Sequence, residues 1–172
     1  MKFIPYLVSS LLLPWPSLSV SAEKSVYGLH EYVQLPELNI RVKAKLDTGA
    51  ETASLSAHHI EPFTRDGEPW VRFTMAHDTI HAPSIERPLV RMSYIKRRQG
   101  DHMSGVELRH TPRPVVTLVA CLGSQLRTIE VNLTDRSHFD YPLLIGSKAL
   151  KHYGALVDVS RAYSAGTPAC PT

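Results

Sequence analysis

Ile40-Arg41-Val42-Lys43-Ala44-Lys45-Leu46-Asp47-Thr48-Gly49-Ala50 is the stretch on which the reading of this chain turns. Its apolar residues Ile40, Val42, Ala44 and Leu46 alternate with Arg41, Lys43 and Lys45, the period-two pattern of a strand with one buried and one wet face. The strand runs directly into Asp47. Outward from it the same alternation recurs. Val71, Phe73 and Met75 stand against Trp70, Arg72 and Thr74, and Ile129, Val131 and Leu133 against Thr128, Glu130, Asn132 and Thr134. Val115 to Ala120 is a further β-branched run, joined to the Ile129 strand by the turn residues Leu122-Gly123-Ser124-Gln125. Leu89 to Tyr94 and Val106 to His110 read as strands on either side of the polar, glycine-containing stretch Lys96 to Gly105, which is expected to project as a hairpin tip. One helix is expected, Ser147 to Tyr153, with Ser147 as cap and Gly154 as terminator. The fold class is therefore all-β with one short C-terminal helix.

Length and composition agree with one globular domain: 172 residues, 43% hydrophobic and 20% charged. Net charge is +3, and the basic residues are scattered, so a nucleic-acid partner is not implied. Residues Phe3 to Ala22 carry no charge after Lys2, and their apolar weight ends at Leu11-Leu12-Leu13 before Pro14 and Pro16. Val20, Ser21 and Ala22 supply the small residues of a signal-peptidase site, so residues 1–22 are expected to be a leader cleaved before Glu23, sending the chain to the periplasm. The alternative is an uncleaved anchor, which Pro14, Pro16 and five serines disfavour. Cleavage leaves 150 residues with a charge of +2. A single domain is expected over 23–165 and a tail over 166–172, loosely ordered unless Cys170 ties it down. Cys121 and Cys170 could pair after export, and a free buried Cys121 is the competing reading.

The tripeptide Asp47-Thr48-Gly49 at a strand's mouth is the wiring of an aspartic-peptidase half-site: a carboxylate, a hydroxyl and a glycine that lets backbone approach closely. Taken alone, it is also an ordinary turn. That chemistry needs two carboxylates about 3 Å apart sharing one proton. No second Asp-Thr-Gly or Asp-Ser-Gly exists in the chain, so a symmetric homodimer must supply the pair. Tyr141-Pro142-Leu143-Leu144-Ile145-Gly146, an apolar strand ending in glycine, could form the floor beside the aspartate, with Thr48, Gly49, Ala50, Ile145 and Gly146 in support.

Several separated motifs together resemble the bacterial retropepsin-like aspartic peptidases that carry the label ATP-dependent zinc protease and are linked by name to the ribosomal-modification ligase RimK. The resemblance spans about Val26 to Tyr163. It rests on Val42 through Ala50, Ile60-Glu61-Pro62-Phe63 with Gly67, Pro69-Trp70-Val71-Arg72-Phe73, Leu133-Thr134-Asp135-Arg136, and Leu143-Leu144-Ile145-Gly146 with Leu156-Val157-Asp158. It implies a retropepsin-like acid-protease β-barrel, active as a homodimer, with Asp47 catalytic and the Lys96 to Gly105 stretch as the flap, for which Arg97, Arg98, Gln99, Gly100 and Asp101 are the candidates. The family often has Arg, His and Arg where this chain has Glu51, Ser56 and Ser147, which bears on substrate preference and dimer contacts.

The zinc label finds little support among the residues. His30-Glu31 is followed by Gln34, so the two-histidine helical signature is missing; His77 and His81 lie in a poor helix; and His58-His59 would diverge on a strand. Gly146-Ser147-Lys148 lacks the earlier glycine of a phosphate loop. No metal and no cofactor are expected. The expected function is an exported aspartic endopeptidase acting on a peptide or protein, with itself as partner; a membrane-bound partner encoded elsewhere is compatible with export. The alternatives are a non-catalytic periplasmic binding module using the same cleft, to which Glu51 lends weight as an added carboxylate near the pair, and a zinc hydrolase.

Overall fold

A computed structural model describes residues 24–76, 83–96 and 110–171. The leader expected over residues 1–22 lies outside them. Ten strands follow in chain order: β1 (Ser25–Leu35), β2 (Ile40–Asp47), β3 (Ala53–Arg65), β4 (Glu68–Met75), β5 (Ser84–Pro88), β6 (Arg91–Lys96), β7 (His110–Leu122), β8 (Gln125–Thr134), β9 (Leu143–Gly146) and β10 (Ala155–Ala162), with one helix, α1 (Ser147–His152), before the last strand. A single 3-10 turn, Pro36–Leu38, joins β1 to β2.

Six of the strands close on themselves. The pairing runs β1-β2-β9-β3-β8-β7, and β7 returns to β1 through Val33 opposite Leu122 and Gln34 opposite Cys121. Closure leaves these six with no free edge. β10 is added to β1 in parallel, β6 is added to β7, and the long β3 runs on out of the barrel to carry β4 and β5. The chain is a small closed barrel with one short helix: all-β as its alternation predicts, and a barrel as the resemblance implies.

The interior follows from that alternation. Val42, Ala44 and Leu46 of β2, Ile129, Val131 and Leu133 of β8, and Val71 and Phe73 of β4 are all buried in one cluster, with Ile40 and Met75 packed against it half-buried. Asn132, which alternation assigns to the wet face, is buried as well. Its amide donates to the Ala53 carbonyl at 2.9 Å and its carbonyl accepts from the Ser54 hydroxyl at 3.0 Å, so the polar group is satisfied across the β3–β8 pair. Tyr153, just past α1, closes the barrel at that end, and its hydroxyl donates to the Ala120 carbonyl at 2.7 Å.

Local structure departs from the sequence reading at the helix cap and at the start of β6. The helix is capped by Gly146, not by Ser147, which is its first residue. No side chain closes the first turn because backbone carbonyls do: Ser147 N–H donates to Ala50 at 2.7 Å and Lys148 N–H to Glu51 at 3.1 Å. Gly154 follows the helix at φ 59°, the left-handed position expected of a terminator. The strand expected from Leu89 begins at Arg91, and of the expected Val106 to His110 strand only its last residue, His110, is described, as the first of β7. The tail is tied down. Cys121 on β7 is bonded to Cys170 with 6.0 Å between Cα atoms, and Ala169 N–H donates to the Gly123 carbonyl at 2.8 Å.

The bridge closes a loop of 49 residues in sequence, and restricting the unfolded chain to that extent stabilises the fold by about 2–4 kcal/mol. Replacing both cysteines by serine is expected to move the urea midpoint down correspondingly; equal midpoints for the oxidised wild type and the double variant would show that the tail contributes nothing.

Candidate active site

β2 and β9 run side by side and parallel, with Ala44 opposite Leu143 and Asp47 opposite Gly146. The two motifs singled out from the sequence therefore end at the same level of the sheet. Asp47 is half-buried, and its Oδ1 accepts the Gly49 N–H at 3.0 Å and the Ala50 N–H at 3.2 Å, an Asx-type turn that orients the carboxylate from within its own loop. Ala50 and Glu51 pass their carbonyls to the start of α1, as above. Gly146 completes the lock: a Cβ there would stand 2.7 Å from the Thr52 carbonyl carbon and 2.8 Å from its oxygen, so only glycine lets β9 press against the segment after Asp47. Ile145 is buried in the core beside it. Thr48 is exposed and makes no hydrogen bond with the described residues.

Because Leu46, Ile145, Leu55 and Leu133 point inward, their neighbours share the outer face on which Asp47 stands. Lys45, Leu144, Ser54 and Asn132 lie in register across four adjacent strands on that face. Arg113 of β7 reaches the end of this row, its Nη1 donating to Asn132 Oδ1 at 3.4 Å, while its Nε is buried with no partner. Arg136, just past β8, is buried; its Nε donates to the Tyr141 carbonyl at 3.2 Å, its backbone N–H donates to the Ser56 hydroxyl at 3.1 Å, and its guanidinium lies 4.6 Å from the Phe139 ring centroid. Burial lowers the pKa of both arginines; for Arg136 the Arg113 charge adds to this and the Asp47 charge opposes it. Neither guanidinium has a carboxylate partner among the described residues. Arg136 therefore brings partly desolvated positive charge within electrostatic reach of Asp47, and the Arg113 charge acts in turn on Arg136.

Sequence reasoning singled out neither Arg113 nor Asn132. Polar residues in an alternating strand read as solvent-facing, and nothing local marks the two whose outer face is covered. Arg136 was carried only as part of the resemblance.

Glu51 lies between β2 and β3. It is exposed and paired with Lys148 at 2.9 Å. The Lys148 hydrogen bond and charge, with Arg91 and Lys151, hold its carboxyl below the ordinary range, so it stays ionised and its charge is offset by lysine. His58 pairs with Asp135 at 3.2 Å and His59 bonds the Thr74 hydroxyl at 3.1 Å, both at a bulge in β3 where His59 has φ 49°. His77 and His81 lie outside the described residues, as do the flap candidates Arg97, Arg98, Gln99, Gly100 and Asp101. Their stems are described: β6 and β7 pair antiparallel out to Lys96 opposite His110.

Comparison with known proteins gives a consistent result. A family model described as RimB-like, retropepsin-like aspartic endopeptidase RimB, matches residues 26–168. A protein of Shewanella halifaxensis named probable alpha-L-glutamate ligase is 32% identical over 152 residues, 86% of this chain and 31% of that protein, and one of the same name from Desulfotalea psychrophila is 31% identical over 137 residues, 77% of this chain and 28% of that protein. The chain thus spans about a third of the length of the curated relatives it matches. A crystal structure of a Legionella pneumophila protein of unknown function matches with a TM-score of 0.68 and 35% identity, covering 83% of this chain and 99% of that one.

Gly146→Ala is the sharpest test of the lock. The intruding methyl meets backbone, which cannot rotate away, and a cost of about 1–3 kcal/mol is expected, or roughly 2–4 °C in Tm per kcal/mol for a domain of this size. A variant that melts with the wild type would show that β9 does not press on the segment after Asp47.

Proposed function

The chain belongs to the RimB-like family of retropepsin-like aspartic endopeptidases, and from that premise we propose that it is an exported endopeptidase, active as a symmetric homodimer with one Asp47 from each subunit. The observation that carries this reading is the placement of Asp47. A single carboxylate, held by its own turn at the end of β2 and pinned by Gly146 of β9, stands on the open face of a closed barrel that contains no second motif of its kind.

Paired across a twofold axis, two such groups about 3 Å apart cannot both ionise, so they share one proton. The ionised carboxylate takes a proton from a water molecule as that water attacks the scissile carbonyl. The protonated one donates to the carbonyl oxygen, and the proton gained from water then goes to the leaving amine. In this dimer the exposed Thr48 of one subunit is covered by the other. Two observations support export: the uncharged stretch Phe3 to Ala22, and the Cys121–Cys170 disulfide, a bond that persists in oxidising compartments. Arg136, on which the Asp47 charge acts, and Arg113, whose charge acts on Arg136, have no carboxylate partner among the described residues; together with relatives named as glutamate ligases they support a peptide with an acidic side chain near the scissile bond as substrate. With Glu51 neutralised by Lys148, the feature that lent weight to a non-catalytic binding module loses its force.

Asp47→Asn is expected to lower cleavage of a peptide library by at least about 10²–10⁴-fold, while circular dichroism and sedimentation match the wild type. Wild-type turnover by the purified variant would remove the mechanism. A dimeric wild type that binds peptides and cleaves none would put the binding module in its place.

A further inference from the structure

The outer face of β1 and β2 carries two rows of side chains in register. On β2, Arg41, Lys43 and Lys45 alternate with the buried Val42, Ala44 and Leu46, so they point outward together with neighbours about 7 Å apart. None of the three has a carboxylate partner among the described residues, whereas Arg65, Arg72, Arg87, Arg91, Lys148 and Arg161 each meet one. On β1, Gln34, Tyr32 and His30 stand opposite Arg41, Lys43 and Lys45 in turn, and the Arg41 guanidinium lies 5.4 Å from the Tyr32 ring centroid. A straight row of unpaired cations thus runs beside a row of rings.

The rings are held on fixed backbone. Tyr141 is stacked flat on His30, with centroids 4.3 Å apart and planes 4° from parallel, and the Tyr163 ring packs 4.7 Å from Tyr32. Tyr163 opens a strap that follows β10 and is tied to β1 and β7. Its N–H donates to the His30 carbonyl at 2.6 Å. The buried Glu31 carboxylate accepts the Gly28 N–H at 2.6 Å, the Ser164 N–H at 3.1 Å, the Ser164 hydroxyl at 2.8 Å and the Ala165 N–H at 3.1 Å, and Cys170 at the far end is bonded to Cys121. Toward the start of β1 the same face turns apolar: Val26 and Leu156 are direct partners across β1 and β10, and they are 49% and 48% exposed. Asp158, opposite Gly28 on this face, is paired with Arg161 at 3.6 Å and does not cancel the row.

We propose that this face, with Arg41, Lys43 and Lys45 as its charged row, is a peripheral docking surface for a membrane of anionic phospholipid. Cations that meet headgroup phosphates, tyrosines that rest at the headgroup level and an exposed aliphatic pair that enters beneath it are the chemistry of a lipid interface. An acidic protein would match the cations and leave Val26 and Leu156 without a role. The uncharged stretch Phe3 to Ala22 leads through Glu23 and Lys24 into β1, the strand that bears Val26, His30 and Tyr32, and as leader or as anchor it brings this strand to a membrane. No helix among the described residues is long and apolar enough to cross one, so their contact with lipid is made on the surface. The proposal rests on the export reading for the encounter with a membrane and not on the peptidase reading.

The protein, purified as its cell processes it, is titrated with vesicles of phosphatidylcholine alone and of phosphatidylcholine with about a third phosphatidylglycerol, at about 0.1 M salt. The wild type is expected to favour the anionic vesicles by at least about tenfold. Lys43→Thr alone is expected to weaken that binding about fivefold, and Arg41→Thr, Lys43→Thr and Lys45→Thr together by up to about 100-fold, with an unchanged circular dichroism spectrum because threonine suits a strand. Arg65→Gln, Lys148→Gln and Lys151→Gln together remove the same charge elsewhere and are expected to leave binding as in the wild type. Equal affinity for the two vesicles, or equal loss in the two triple variants, would overturn the proposal. Retention on immobilised poly-aspartate without binding to anionic vesicles would overturn it too and give the face to an acidic polypeptide. An uncleaved leader adds alike to both vesicle types and leaves their ratio intact. Failure of the export reading appears separately in cell fractionation, and failure of the peptidase reading appears as a wild type no more active than Asp47→Asn.

Discussion

The parallel contact between β2 and β9 is the constraint on which the rest depends. Parallel neighbours cannot be joined by a tight turn, so the two strands are brought together only after the chain has built β3 to β8 between them. The close approach at Gly146 then leaves no freedom in the segment from Asp47 to Thr52: its amides are turned onto the Asp47 carboxylate, and its carbonyls cap α1. A carboxylate on a free loop would sample many orientations. Here the closed barrel decides where it points, and the helix and the aspartate loop satisfy each other's backbone groups without any side-chain cap.

Much of this was legible in the sequence because it is written in short-range pattern. Alternation located β2, β4, β7 and β8 and their buried faces, the Leu122 to Gln125 turn located a hairpin, and Gly154 marked the helix end. What stayed hidden was non-local. β1, β3 and β10 carry interrupted alternation, since Glu31 is buried in the first, Ser54 and Ser56 in the second, and the third is an exposed edge. Asn132 and Arg113 read as surface residues because only the assembled sheet shows what covers them. Gly146 was identified as a site residue, but its reason, the Thr52 backbone at 2.7 Å, exists only once the strands meet.

The buried charges divide into two kinds. Glu31 is fully answered by donors from Gly28 and the strap and so serves as a structural clamp. Arg113 and Arg136 have only neutral acceptors among the described residues, and the Asp47 charge acts on Arg136. Charges of the first kind hold a fold together. Those of the second kind persist where something else meets them, and on the proposed peptidase reading that is the substrate.

The central claim, that hydrolysis requires two subunits to bring one acid each, is tested most directly by the separation of the two Asp47 carboxylates in a crystal of the oxidised protein. The account predicts a twofold-symmetric pair with those oxygens about 3 Å apart, close enough to share a proton. A symmetric assembly that holds them many ångströms apart, or a monomer in the crystal whose solution form is also monomeric and cleaves peptides, would contradict it.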